Sequence, residues 1–286
     1  MIGAELLRAR SRTRSSLESP MPSRPRPRAA DWPYFTGPRP LALAHRGGGE
    51  YPPNVGIENS VAAFANAVAL GYTHVETDVH ATSDGVAVAF HDYRLDRVTD
   101  AVGALGDLAW AQVSAARIGG REPIPTLAGI LETFPTLNFN IDLKSDAVVA
   151  PALAAIQAAG AQRRVCLGSF DERRIRRAYK LSEGRIAVSH STFGTLAVKL
   201  LRPAAIARAL AGPGVALQVP ETFRGVRIVT ARLVERAHAL GNDVHVWTVD
   251  DADDMTRLLD LGVDGIVTDR PDVLRDVLAA RGAWDR

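Results

Sequence analysis

The chain has 286 residues, 47% of them hydrophobic and 23% charged, which excludes a chain disordered throughout. Its single cysteine, Cys166, excludes an internal disulfide and any cysteine-based zinc or iron–sulfur site. No apolar run reaches the roughly 18 residues that a membrane-spanning helix needs. The net charge of +2 is unevenly spread: residues 1–30 carry seven arginines against Glu5 and Glu18, so the remainder is mildly acidic. A nucleic-acid-binding fold would place its Lys and Arg on the domain itself, so nucleic acid is not an expected partner.

Residues 1–38 are rich in Arg, Ser and Pro and read as a disordered leader. They hold no apolar stretch of the 7–15 residues that a secretory signal requires, so a cytoplasmic location is expected. From Leu41 onward, short apolar runs alternate with amphipathic, Ala-rich segments. The strands expected are Leu41–His45, His74–Asp78, Asn138–Leu143, Arg164–Gly168, Arg185–Val188, Val215–Val219, Asp243–Thr248 and Asp264–Thr268. Helical patterns lie between them, among them Ser60–Leu70, Ala147–Ala159, Glu172–Leu181, Ala231–Leu240, Ala252–Leu261 and Val273–Ala280. Gly71, Gly160, Gly241 and Gly262 stand where helices should end.

Val86–Phe90 reads as an extra strand opening an excursion that runs to about Pro125. Eight strand–helix repeats over residues 39–286 predict an α/β fold, a (β/α)₈ TIM-type barrel with a small insertion, about 93–125, after the second strand. A doubly wound open sheet competes. Against it, the Gly47-Gly48-Gly49 loop after the first strand is not followed by a helix in dinucleotide-binding register.

In such a barrel the chemistry collects at the C-terminal ends of the strands. Glu76 and Asp78 are two residues apart on one strand, so their side chains share a face. Two carboxylates together repel, and a divalent cation would remove that penalty. Asp142 could complete an oxygen-rich set suited to Mg²⁺, Ca²⁺ or Mn²⁺ rather than zinc. The bland alternative is that Glu76 pairs with an arginine and Asp78 caps a turn.

His45 and His91, each at a strand end, are the acid–base candidates. His74, His190, His238 and His245 read as structural hydrogen bonders, and His80 shares the Glu76/Asp78 face. Arg46 and Lys144 add fixed positive charge suited to a phosphate ester. Trp247 is expected at the substrate and Asp264 in a structural role.

The ordered set His45-Arg46-Gly47, Glu58-Asn59-Ser60, Glu76-Thr77-Asp78-Val79, Asp84-Gly85, His91-Asp92, Ile124-Pro125-Thr126-Leu127, Asp142-Leu143-Lys144, Val246-Trp247-Thr248-Val249 and Asp264-Gly265-Ile266-Val267-Thr268-Asp269 resembles the glycerophosphodiester phosphodiesterase family. The resemblance implies hydrolysis of glycerophosphodiesters to glycerol 3-phosphate and an alcohol, in lipid and glycerol metabolism. It implies His45 and His91 as the catalytic pair, and Glu76, Asp78 and Asp142 as ligands of one divalent cation. It also implies Arg46 and Lys144 on the phosphate, Trp247 in the substrate pocket, and Glu58 buttressing the first loop.

Three positions depart from the family pattern: Asp142 stands where Glu is common, Ile57 where Pro is common, and the Gly47–Ile57 loop is long and carries Pro52 and Pro53. A phospholipase-type barrel acting on lysophospholipid head groups and a non-catalytic phosphoester-binding protein are the alternatives. The expected partner is the small-molecule diester, without integral membrane contact; the oligomeric state is not legible.

Overall fold

A computed structural model describes residues 27–284. Eight parallel strands form the barrel: β1 Leu41–His45, β2 His74–Ala81, β3 Asn138–Leu143, β4 Val165–Gly168, β5 Ala187–Val188, β6 Ala216–Pro220, β7 Asp243–Trp247 and β8 Gly265–Thr268. Their hydrogen-bonded order is β5-β4-β3-β2-β1-β8-β7-β6. The ring closes between β5 and β6 through the parallel bridge Ser189–Ala216 and the bond from the Val215 N–H to the Val188 carbonyl. The strands are apolar on both faces because helices cover them outside and side chains fill them inside.

Among the described residues, nine helices stand outside: α1 Val61–Ala69, α2 Leu127–Thr133, α3 Val149–Ala158, α4 Glu172–Leu181, α5 Thr192–Leu200, α6 Ala204–Leu210, α7 Ala231–Ala239, α8 Ala252–Asp260 and α9 Pro271–Ala280. Ser60, Thr126, Asp171, Ser191, Thr230 and Asp251 each cap a helix by accepting a first-turn N–H. Gly71, Gly160, Gly241 and Gly262 all take positive φ after their helices, as the sequence pattern predicts. No described helix is long and apolar enough to cross a membrane.

Three features differ from the sequence expectation. Strand β2 runs on to Ala81 because Ala87–Ala89 pairs antiparallel with its end. The fifth strand shrinks to two residues. Helices α5 and α6 fill the stretch between it and β6.

Most of the expected leader, residues 1–26, lies outside the described residues. The part from 29 to 38 is not disordered but built into the barrel floor. Tyr34 and Phe35 are fully buried, in one cluster with Leu41, Leu43, Cys166 and Val267. Two anchors hold this plug. His74 Nε2 donates to the Tyr34 carbonyl at 2.9 Å, and Arg39 pairs with Asp243 at the start of β7. The plug fills the N-terminal opening with aromatic rings, which an Arg- and Pro-rich composition hides.

Above the barrel, the excursion after β2 carries a separate apolar cluster that includes Phe90, Leu95, Leu105, Val113, Ile118 and Ile124. It leaves the barrel beside His91 and returns at Thr126, which bridges to Val88.

Candidate active site

Strand register sets the first layer of the site. His45 stands opposite Glu76, and Asp78 opposite Asp142, so four candidate groups from three adjacent strands occupy two successive same-face rungs. After β1 the chain turns sharply. Arg46 has φ 52° and its N–H donates to the Glu76 carbonyl at 3.0 Å. Gly47, at φ 89°, packs so tightly on α1 that a Cβ would lie 2.8 Å from that of Ala63. Buried Asn54 donates to the Gly47 carbonyl and pins the loop.

His45 Nδ1 lies 3.0 Å from Asp269 Oδ1, at the end of β8, and its Nε2 lies 3.7 Å from Glu76 Oε2. Burial disfavours the His45 imidazolium, but the Asp269 hydrogen bond and the nearby carboxylates outweigh it, and its pKa is raised. Asp269 is held low despite burial, chiefly by the bond to His45. It also accepts the Gly49 N–H at 3.1 Å, so one carboxylate fixes both the imidazole and the glycine loop.

His91 is held in the same manner, with Nδ1 2.6 Å from Asp92 Oδ1. Arg97, from the excursion, grips Asp92 through Nε at 2.6 Å and Glu58 at 2.7 Å. Glu58 in turn holds the Arg46 guanidinium at 3.1 Å. A chain His91–Asp92–Arg97–Glu58–Arg46 therefore ties the two histidine loops together. Arg97 pulls the Asp92 carboxyl down to about 2.

The acidic set is short of positive charge. Burial, then Asp78, push the Glu76 carboxyl up to about 8. Asp142 is raised by burial in spite of Lys144. Asp78 opposes the same burial and is lowered by Lys144 and Arg46. Arg46 Nε lies 3.1 Å from Asp78 Oδ2 but out of hydrogen-bonding line, so both buried atoms lack a hydrogen-bond partner. Lys144 stands between Asp78 and Asp142, at 3.1 and 3.3 Å, rather than reaching out toward a phosphate. As the side chains stand, no three His, Cys, Asp or Glu among the described residues are gathered closely enough to hold a metal ion. An oxygen-only trio with a carboxyl near 8 and an unpartnered buried oxygen nevertheless fits a hard dication that would displace the ammonium.

His45, Arg46, Glu76, Asp78, His91, Asp142, Lys144 and Trp247 all line one cleft of about 500 Å³. Glu58 supports it from behind Arg46. Trp247 meets Phe170 edge-to-face at 5.9 Å on the far wall. Among the described residues, His80 hydrogen-bonds no carboxylate. Its Nε2 lies 3.0 Å from the His91 carbonyl, where it supports the loop backbone. His74 and His238 are engaged with Tyr34 and Asp264, and His245 is sealed beneath the barrel. His190 lines the cleft, but its nitrogens face Ala211 and Asn242. Asp269, Asp92 and Arg97 are contacts of the candidate residues that residue spacing does not supply. Asp269 closes a motif at a strand end and Asp92 adjoins a candidate histidine, and those placements were the available signals.

Residues 45–273 match the model of the Glycerophosphoryl diester phosphodiesterase family. The chain belongs to that family. It is 43% identical over 249 residues to "Probable glycerophosphodiester phosphodiesterase 2" of Mycobacterium tuberculosis, covering 86% of this chain and 93% of the relative. It is 31% identical over 257 residues to a glycerophosphodiester phosphodiesterase of Caldanaerobacter subterraneus, covering 85% of this chain and 99% of the relative. Among solved structures, it shares its fold with an Oleispira antarctica phosphodiesterase in complex with the product sn-glycerol-3-phosphate. The TM-score is 0.69 at 23% identity, over 84% of this chain and 97% of that one.

Proposed function

We propose that this family member hydrolyses glycerophosphodiesters to glycerol 3-phosphate and an alcohol, with His45 and His91 as proton carriers and one divalent cation, Mg²⁺ or Ca²⁺ before Mn²⁺, on Glu76, Asp78 and Asp142. One observation carries the reading: two histidines, one ending β1 and the other just past Ala87–Ala89, each with Nδ1 held by its own aspartate, face the same charged cleft. The names of the two bacterial relatives support the same reaction.

A carboxylate on Nδ1 keeps a proton there and leaves Nε2 to take up or release one. In the displacement, one imidazole accepts the proton of the attacking hydroxyl, from water or from the neighbouring glycerol hydroxyl. The other gives a proton to the oxygen that leaves phosphorus. For in-line attack the two must act from opposite sides. Arg46, pinned by Glu58 and Asp78, is a fixed positive group beside the phosphodiester. Lys144, released from the carboxylates, would follow the charge that builds on the equatorial oxygens. Glu76, Asp78 and Asp142 would hold the cation, which would supply neutralising charge and Lewis-acid polarisation to the diester. Trp247 and Phe170 would shape the wall that meets the rest of the substrate.

The test is release of glycerol 3-phosphate from a panel of glycerophosphodiesters, read by a coupled dehydrogenase. Turnover should vanish on chelation and return with the dication. His45→Ala and His91→Ala should each cost on the order of 10²–10⁴ in kcat. Full turnover after chelation would remove the cation, and wild-type turnover by either variant would remove that histidine.

A further inference from the structure

The barrel interior just below the mouth is polar and takes no part in the proton transfers described above. Asn140 is the inward residue one step beneath Asp142 on β3. Gln218 and His245 are paired one step beneath Pro220 and Trp247 on β6 and β7. Gln218 Nε2 donates to Asn140 Oδ1 at 2.7 Å, a bond that crosses the barrel and closes the floor of the cleft, which both residues line. The same nitrogen lies 3.5 Å from Nδ1 of His245, a fully buried ring packed on Phe35 of the plug. His245 Nε2 has no hydrogen-bond partner but faces Asp243 at 3.7 Å, and Arg39, which anchors the plug, pairs with that carboxylate.

This arrangement aims the Gln218 amide. A carboxylate beside Nε2 favours the tautomer with its proton there, which leaves Nδ1 a lone pair for the amide N–H. Asn140 Oδ1 takes the other hydrogen. Both donors of Gln218 are thus drawn to the floor, and Oε1 is turned toward Gly168 at the end of β4. A Cβ built on Gly168 would lie 3.4 Å from Gln218 Oε1, 3.4 Å from Ser189 Oγ and 3.8 Å from Asp142 Oδ1. The missing side chain leaves three oxygens around one small space, beside a carboxylate of the acidic set. Oxygens that converge in this way call for a hydroxyl hydrogen, and glycerol is the polyol that every diester of this class shares.

We propose that Gln218 Oε1 accepts the terminal hydroxyl of the glycerol, the one farthest from phosphorus. Gln218 is then a specificity-determining residue, and Asn140, His245 and Asp243 are positioning residues beneath it. The inference rests on the phosphodiesterase reading above. A substrate without that hydroxyl would fill the space and leave Oε1 unpaired, which is how a polar floor discriminates.

The experiment uses the full chain with its dication. It compares choline release from glycerophosphocholine and from 2-hydroxypropyl phosphocholine, which lacks only the terminal hydroxyl and keeps the one beside the reacting ester. Calorimetry compares binding of the two products, glycerol 3-phosphate and 2-hydroxypropyl phosphate. The wild type should favour the glycerol compound at least about tenfold, both in kcat/KM and in product affinity. Gln218→Leu should bring both ratios to within about threefold of unity. His245→Phe, which lets the amide turn over, should lower them too. Added to Gln218→Leu it should lower them no further, because the histidine acts through the glutamine.

Equal wild-type handling of the two compounds overturns the inference, whether or not the variants fold. So does a Gln218→Leu protein that keeps the wild-type ratios. Wild-type ratios in His245→Phe would strike the histidine from the positioning chain. Wild-type turnover of both compounds at one kcat/KM sinks only this inference; turnover of neither sinks the phosphodiesterase reading with it.

Discussion

Asp269→Asn is the sharpest probe of the histidine geometry. The substitution keeps size and leaves Oδ1 able to accept the Gly49 N–H, but it withdraws the charge that holds His45 Nδ1 at 3.0 Å. A neutral amide oxygen at that position supports the imidazolium far less, and the flipped amide, its NH2 toward Nδ1, would move the imidazole proton to Nε2 and give up the Gly49 bond. Holding that imidazole wrongly should cost on the order of 10²–10⁴ in kcat. The lost bond to a charged partner should cost about 1–2 kcal/mol of stability, or a Tm lower by about 2–8 °C.

The pH dependence carries a sign. The folded His45 pKa lies above 6.5 once the Asp269 bond and the nearby carboxylates have outweighed burial, so the stability it contributes is complete below pH 6.5 and fades as pH rises through the folded value. The Tm deficit of the variant should therefore be largest on the acid side. The limb of the pH–rate profile that belongs to His45 should move to lower pH, whichever proton that histidine carries. The assay is glycerol 3-phosphate release across pH, with thermal melts in parallel. A variant that melts lower but keeps wild-type kcat and an unmoved limb would refute the assignment of Asp269 to His45.

Other expectations follow from the same geometry. Glu76, at about 8 against an ordinary 4.5, is chiefly raised by burial, so its contribution to cation-free stability should be largest below pH 4.5 and decline as pH climbs from there to 8. Glu76→Gln should flatten that decline, and an unchanged slope would contradict it. Arg97→Ala should lower kcat about tenfold by loosening Asp92 and Glu58, while its half-exposed ion pairs hold stability to within about 1 kcal/mol; an unaltered kcat would confine Arg97 to the surface. Tyr34→Ala should cost about 3–5 kcal/mol, measured by urea unfolding, because a fully buried ring is removed from the barrel floor. A loss below about 1 kcal/mol would detach the plug from the fold.

Parity and strand ends made much of the site legible before any coordinates. Glu76 and Asp78 had to share a face, and strand register then set Asp142 beside Asp78. Helix ends were readable where Gly71, Gly160, Gly241 and Gly262 follow. Side-chain direction was not legible. Lys144 and Asp142 are near neighbours on one strand end, and nothing in their spacing shows that the ammonium bridges two carboxylates. The Asp269–His45 bond spans 224 residues, and Arg97 reaches Glu58 from an excursion with no periodic pattern. Composition misplaced Tyr34 and Phe35 because burial there depends on the barrel they close.

The most direct measurement is diffraction from crystals soaked in Mn²⁺, using the metal's anomalous signal. The account predicts a peak within about 2.5 Å of carboxylate oxygens of Glu76, Asp78 and Asp142, with the Lys144 ammonium displaced from between the two aspartates. A peak elsewhere, or Lys144 still bridging Asp78 and Asp142 at full Mn²⁺ occupancy, would contradict it.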